Sequence, residues 1–333
     1  MGSLIKHRRL YVQAMALTLS LLLISMSAKA NIAPALSRRE TALLSADRLL
    51  PTTPLPVTPD LLTPVPAQTG IQDKNVSVFG QNIHYLEAGT GPTVILLHGL
   101  GGNVTNWALT IPALATKYHV VVPDQIGFGK SDKPLIGYRI GTYIDFLDKL
   151  CSELKIDKAT VVGNSLGGWI AAGFALKYPQ RVERLVLVDA AGFALPQGFD
   201  ASALTGLNPV TRDQMRAIIS LMVFNKELFL NDYFVDQALA GRLGAGDGYT
   251  IDRISASLAR GDDVLDGRLG GIKMPTLIIW GRNDGLLTLA EYGERFKREI
   301  PGAQMVIFEK CGHAPMLEKA SEFNAALLKF LAE

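Results

Sequence analysis

The sequence is poor in the residues on which several kinds of chemistry depend. It holds two cysteines, Cys151 and Cys311, in 333 residues. That excludes a disulfide-built scaffold and any zinc site made from paired Cys-x-x-Cys units, and no His-Glu-x-x-His run offers the histidine version. Cys151 falls in a predicted helix and Cys311 in a loop, and we read them as two buried free thiols, with a disulfide as the alternative. Basic residues barely outnumber acidic ones, 33 against 31, so the formal charge of +2 gives no electrostatic footprint for nucleic acid. There is no internal repeat. The triplet Gly129-Lys130-Ser131 has Asp124 where a phosphate-binding loop needs its first glycine, which removes the nucleotide reading. Asp124 is expected to tie down its own loop by accepting backbone hydrogen bonds. No metal or other cofactor is expected.

What is present begins with a leader. Lys6, Arg8 and Arg9 precede an apolar stretch from Ala14 to Met26, and Ala28-Lys29-Ala30 places small residues at the positions a signal peptidase reads. Residues 1–30 therefore read as a signal peptide of an exported, periplasmic or secreted protein. The competing reading is an uncleaved anchor over residues 10–28, which would bring membrane association, although that stretch barely reaches the ~18–20 apolar residues of a span. Cleavage removes four cations and no acid, which moves the charge to about −2. Residues 31–70 are rich in proline from Pro51 to Pro66 and read as an extended linker or strap.

From residue 71 the pattern becomes that of an α/β domain. Val76–Phe79 and Ile83–Glu87 flank Gly80-Gln81-Asn82 as a hairpin-like pair. Continuous apolar runs then recur at 92–97, 120–122, 159–162, 184–188, 275–280 and 305–308, as expected for strands covered on both faces of a parallel sheet. Tyr138–Leu154, with apolar residues at helical spacing, and Trp169–Tyr178 read as covering helices. After the sixth strand the alternation stops, and residues 194–265 read as a helical cap. Thr211 is a candidate N-cap, and the glycines at 241, 244, 246 and 248 are expected to interrupt the chain. Met215, Ile219, Met222 and Phe229 are the cap's candidate substrate-binding residues, and packing of the cap explains them equally well.

The chain is organised around Gly163-Asn164-Ser165-Leu166-Gly167-Gly168, a serine between glycines where a strand passes directly into a helix. Such a turn lifts the hydroxyl to the positive end of the helix, a good place to build negative charge. A nucleophilic serine needs a base, and a base needs an acid to orient it. Five histidines limit the choice. His7 lies in the leader, His84 and His119 lie in or at strands, and His98 is expected to shape the loop His98-Gly99-Leu100-Gly101-Gly102. His313 remains, in the loop after the last strand and beyond Asp284 in Gly281-Arg282-Asn283-Asp284-Gly285. Serine, acid and histidine occur in that chain order, each after a strand.

From about residue 71 to the C-terminus the sequence resembles an α/β-hydrolase-fold serine hydrolase. The resemblance implies a mostly parallel central sheet flanked by helices, a core of residues 71–193 and 266–333, and the cap inserted after the sixth strand. It implies Ser165 as nucleophile, Asp284 as acid, His313 as base, and the backbone N–H groups of Leu100 and Leu166 as the oxyanion hole. Within the family, Gly-Asn-Ser-Leu-Gly-Gly is similar to the elbow of hydrolases that cleave carbon–carbon bonds of ring-fission products. Two departures weigh against that subgroup: Leu100-Gly101-Gly102 in place of a Ser-Gly-Pro-Gly-like run, and Ala314 where those enzymes often carry tryptophan. The expectation is therefore a carboxylesterase or lipase-like enzyme acting on a small-molecule ester with an apolar acyl or aromatic group. Carbon–carbon hydrolysis, acyl transfer on the same triad and a catalytically silent ligand-binding protein are the alternatives.

Overall fold

The structure, a computed structural model, describes residues 70–333. The leader (1–30) and nearly all of the proline-rich lead-in (31–70) lie outside the described residues. Eight strands form one sheet: β1 (Gln72–Val78), β2 (Gln81–Ala88), β3 (Thr93–Leu97), β4 (His119–Pro123), β5 (Ala159–Asn164), β6 (Val182–Val188), β7 (Thr276–Gly281) and β8 (Gln304–Phe308). Their order across the sheet is β1-β2-β4-β3-β5-β6-β7-β8. β1, β2 and β4 pair antiparallel, and every pairing from β4 through β3 to β8 is parallel. The β1–β2 turn sits one residue earlier than the sequence pattern places it. Phe79 and Gly80 both have positive φ, +51° and +77°, the two-residue geometry that suits a hairpin, and Gln81 and Asn82 already belong to β2.

Six helices exceed ten residues among the described residues: α1 (Ile140–Glu153), α2 (Leu166–Lys177), α3 (Arg212–Met222), α4 (Asp232–Gly244), α5 (Gly248–Ala259) and α6 (Ala320–Ala332). Strand periodicity of two sorts the apolar residues onto opposite faces. Ile95, Leu97, Val161, Leu185, Leu187 and Ile278 pack with Ile144, Leu147, Ile170 and Phe174 of α1 and α2. Their strand neighbours Val94, Leu96, Val162, Val186, Leu277 and Ile279 pack with Trp107 and with Phe323, Leu327 and Phe330 of α6. The sheet is thus buried on both sides, which is why its strands read as unbroken apolar runs.

Between β6 and β7 the chain forms only helical elements, including α3, α4 and α5. Thr211 caps α3 in a reciprocal box: its hydroxyl accepts from the Gln214 amide and the Gln214 side chain accepts from the Thr211 amide. The glycine expectation is corrected in part. Gly241 and Gly244 lie inside α4, which is started by the Asn231 side chain and anchored by fully buried Val235. The chain turns only at Gly246, where φ is +65°.

Candidate active site

β5 runs into α2 with no linker, and the junction is Ser165, with φ +54° and ψ −117°. A non-glycine residue there is strained, and the surroundings over-determine it. The Ser165 amide donates to the Val188 carbonyl at 3.0 Å, and its carbonyl accepts from the amides of Gly168, Trp169 and Ala191. The flanking glycines are demanded by close approach. A Cβ on Gly163 would lie 2.1 Å from the Gly167 carbonyl oxygen, one on Gly167 2.3 Å from that of Leu97, and one on Gly168 2.5 Å from the Ala190 Cβ. Ser165 keeps partial exposure while the residues on either side are buried. Leu166 is the first residue of α2, so its N–H has no carbonyl one turn back within the helix.

Asp284 and His313, the expected acid and base, meet. Asp284 follows β7, and its Oδ1 accepts from the amides of Leu286 and Leu287 at 2.8 and 3.0 Å. Its Oδ2 lies 2.6 Å from His313 Nδ1. Both side chains are almost wholly buried. With Nδ1 committed to the carboxylate, Nε2 is the nitrogen left for a hydroxyl. Asn164, beside the serine, donates to the His313 carbonyl at 3.1 Å and so ties the elbow to the histidine loop. The sequence reading missed this role of Asn164 because its partner lies 149 residues away. Asp189, Asp284 and His313 bring potential metal-ligating atoms within 4.8 Å of one another, and Nδ1 of His313 is bonded to Asp284.

The loop after β3 closes over the serine. A Cβ on Gly99 would sit 3.2 Å from the Ser165 Cβ, so the Gly99-Leu100 backbone lies beside the nucleophile position. His98 shapes this loop. It is fully buried, its Nδ1 donates to the Gly99 carbonyl at 2.8 Å, and its Nε2 accepts from the Gln125 amide at 3.1 Å. Burial pushes its pKa down against the pull of Asp124, which fits a neutral ring that accepts at Nε2. Asp124 accepts from the amides of Val104 at 2.7 Å and Lys130 at 2.8 Å, and binds His84 Nδ1 at 2.7 Å. Burial raises the Asp124 carboxyl, but the His84 bond, the His98 ring and the two amides outweigh it and hold the group below the ordinary range. Buried His84 also reaches Asp73, at 2.8 Å through Nε2, so two acids the strand pattern did not reveal hold it.

The helical insertion grips the same loops. The Leu221 carbonyl accepts from the Gly285 amide at 3.0 Å and the Met222 carbonyl from the His313 amide at 2.6 Å. Glu318 accepts from Gly312 at 2.8 Å and from Phe224 at 2.9 Å, joining the histidine loop to the end of α3. Ile251 of α5 comes within 3.4 Å of a Cβ built on Gly101 in the loop after β3. Of the cap candidates, Met215 and Ile219 are buried in a small core with Val235, and Phe229 packs edge-on against Phe234 at 5.1 Å. Half-buried Met222 touches the site through its carbonyl.

Comparisons with known proteins agree with this architecture. Residues 92–320 match the family model described as the alpha/beta hydrolase fold. The chain is 32% identical over 266 residues, 76% of its length and 90% of the relative's, to a 2-hydroxymuconate semialdehyde hydrolase of Pseudomonas sp. strain CF600. A solved meta-cleavage product hydrolase superposes with a TM-score of 0.70 at 30% identity, covering 78% of this chain and 97% of that one. A bacterial membrane phospholipase A superposes with a TM-score of 0.69 at 28% identity, covering 79% and 86%. A sheet with six successive parallel strands, a strand-to-helix elbow at the end of β5, and a sequence match over most of the chain together place this protein in the alpha/beta hydrolase family.

Proposed function

We propose that the chain is a serine hydrolase that cleaves a carbon–carbon bond beside a carbonyl in a ring-fission product of the 2-hydroxymuconate semialdehyde kind. The observation that carries this reading is an elbow serine together with a buried His313–Asp284 bond, in a chain 32% identical to a hydrolase named for that substrate. The sequence alone put an ester first, and the named relatives reverse that order.

In the proposed cycle His313 Nε2 takes the Ser165 proton as Oγ adds to the carbonyl carbon. The electron pair moves to the carbonyl oxygen, where the amides of Leu100 and Leu166 stabilise it, each donor worth ~3 kcal/mol. Collapse restores the carbonyl and breaks the carbon–carbon bond. With the 2-hydroxy-diene of the substrate first tautomerised to its ketone, the enol proton moving to the carbon that is to depart, that carbon leaves as a dienolate conjugated to the ketone and takes up the proton from the His313 imidazolium. Water, deprotonated by the same imidazole, then releases the acyl group as a carboxylic acid and regenerates the serine. Asp284 keeps the ring in the tautomer that presents Nε2.

A second reading, hydrolysis of a carboxylic ester with an apolar acyl or aromatic group, is favoured by the likeness to a membrane phospholipase A and by Leu100-Gly101-Gly102 in the oxyanion loop. The leader-like residues 1–30 also fit an exported esterase better than an enzyme of intracellular aromatic breakdown. Parallel assays on 2-hydroxymuconate semialdehyde and on p-nitrophenyl esters separate the two. Carbon–carbon cleavage is expected to dominate in kcat/KM, and Ser165→Ala is expected to lower it by at least about a thousandfold. Ester turnover without carbon–carbon cleavage transfers the assignment to the second reading, and full activity in Ser165→Ala removes both.

A further inference from the structure

Asp189 follows β6 directly, in a left-handed backbone conformation with φ +42°, and its amide donates to the Ile279 carbonyl of β7 at 3.0 Å. It is 0% exposed. Oδ1 accepts from the Gly281 amide at 2.9 Å. Oδ2 has neither solvent nor any N–H or hydroxyl donor. Close by are the Asp284 carboxyl and the His313 ring: one polar atom from each of the three side chains lies within 4.8 Å of the other two.

Two carboxylates cannot both stay charged in so small a dry space, and a single proton between them resolves the conflict. The hydrogen bonds say which acid holds it. Asp284 accepts from the Leu286 and Leu287 amides and from His313, whereas Asp189 accepts from one amide. Negative charge therefore belongs on Asp284. The other ionisable groups nearby add to the need for a proton. Glu318 is a third carboxyl, Cys311 is a thiol, and His313 is the base; among the described residues no lysine or arginine pairs with Asp189, Asp284 or Glu318. Burial first, and the Asp284 charge second, push the Asp189 carboxyl well above the ordinary carboxylate range.

We propose that Asp189 stands as a neutral carboxylic acid that donates a hydrogen bond to Asp284, and that it is a positioning residue for the acid of the triad. Held by amides on one side and by Asp189 on another, the Asp284 carboxylate resists turning away from the imidazole. The positioning role rests on the triad reading above, while the protonation of Asp189 stands independently of it.

Two variants test the proposal. In Asp189→Asn the amide Nδ2 donates where the acid proton did and Oδ1 still accepts from Gly281; in Asp189→Ala the donor is gone. The unfolding midpoint of Asp189→Asn is expected to rise relative to wild type as pH increases from about 5 to about 8, because asparagine has no proton to retain. Parallel curves for the two proteins overturn the neutral acid. On whichever substrate the wild type turns over, Asp189→Ala is expected to lose roughly tenfold or more in kcat with KM within about twofold. Asp189→Asn is expected to recover most of that loss and to extend the alkaline arm of the kcat profile. An asparagine variant as poor as alanine, or one with an unchanged alkaline arm, overturns the donor role. If the wild type acts on neither substrate class, the triad reading and the positioning role fall together, and the unfolding measurement still decides whether Asp189 is neutral.

Discussion

Ser165 holds a strained backbone conformation because glycines two residues before it and two and three after it leave room for the chain to close on itself. The strain and the glycines are one device: the residue that must project its hydroxyl takes the unfavourable φ, and Gly163, Gly167 and Gly168 allow β5, α2 and the turn after β6 to close around it. Gly163→Ala would drive a Cβ to 2.1 Å from the Gly167 carbonyl oxygen, a backbone atom with no flexible side chain to yield. It is expected to cost about 3 kcal/mol or more, read as a lowered urea midpoint. Asp189 adds a pH dependence of definite sign. The unfolded chain ionises this acid near 3.8, as an ordinary aspartate does, while the folded protein keeps the proton because of burial and the Asp284 charge. Folding therefore takes up a proton above about pH 4, and this one group lowers stability by about 1.4 kcal/mol per pH unit until the raised folded pKa is passed.

At the scale of elements, the helical insertion is bonded to the loops that carry Asp284 and His313. Leu221 accepts from Gly285, Met222 accepts from His313, and Glu318 clasps the amides of Gly312 and Phe224. A shift at the C-terminal end of α3 would thus be felt at Asp284 and His313. Glu318→Ala leaves the buried Gly312 amide without its acceptor, and a loss of ~1–3 kcal/mol in unfolding free energy is expected. Faster hydrogen exchange at the Gly312 and Phe224 amides would locate that loss at the joint, and unchanged exchange would show that Glu318 does not hold it. The apolar stripe of α3, one of the clearest helical signals in the sequence, turns out to pack largely within the insertion, where Met215 and Ile219 meet Val235. A periodicity of 3.6 identifies the face that must be covered and says nothing about what covers it.

Across the whole molecule, the two cysteines lie in the interior as free thiols. Burial, above all, raises both, Cys151 to about 12. A chromogenic disulfide reagent at about pH 8 is expected to leave the native protein unlabelled and to count two thiols after denaturation. Prompt reaction of the native protein would contradict their burial. By itself the sequence determined the strands, the order serine, acid, histidine, and the turn that carries Ser165, because these follow from local periodicity, from glycines at fixed spacing and from the position of loops after strand ends. Tertiary structure alone decided the contacts that hold the site: Asn164 to His313 across 149 residues, Glu318 to Phe224 across 94, His84 to Asp124 across 40, and Asp189 against Asp284. No local signal marks such partners, since each depends on tertiary pairing, such as β2 against β4 for His84 and Asp124 and β6 against β7 for Asp189, that brings together groups the chain itself keeps far apart.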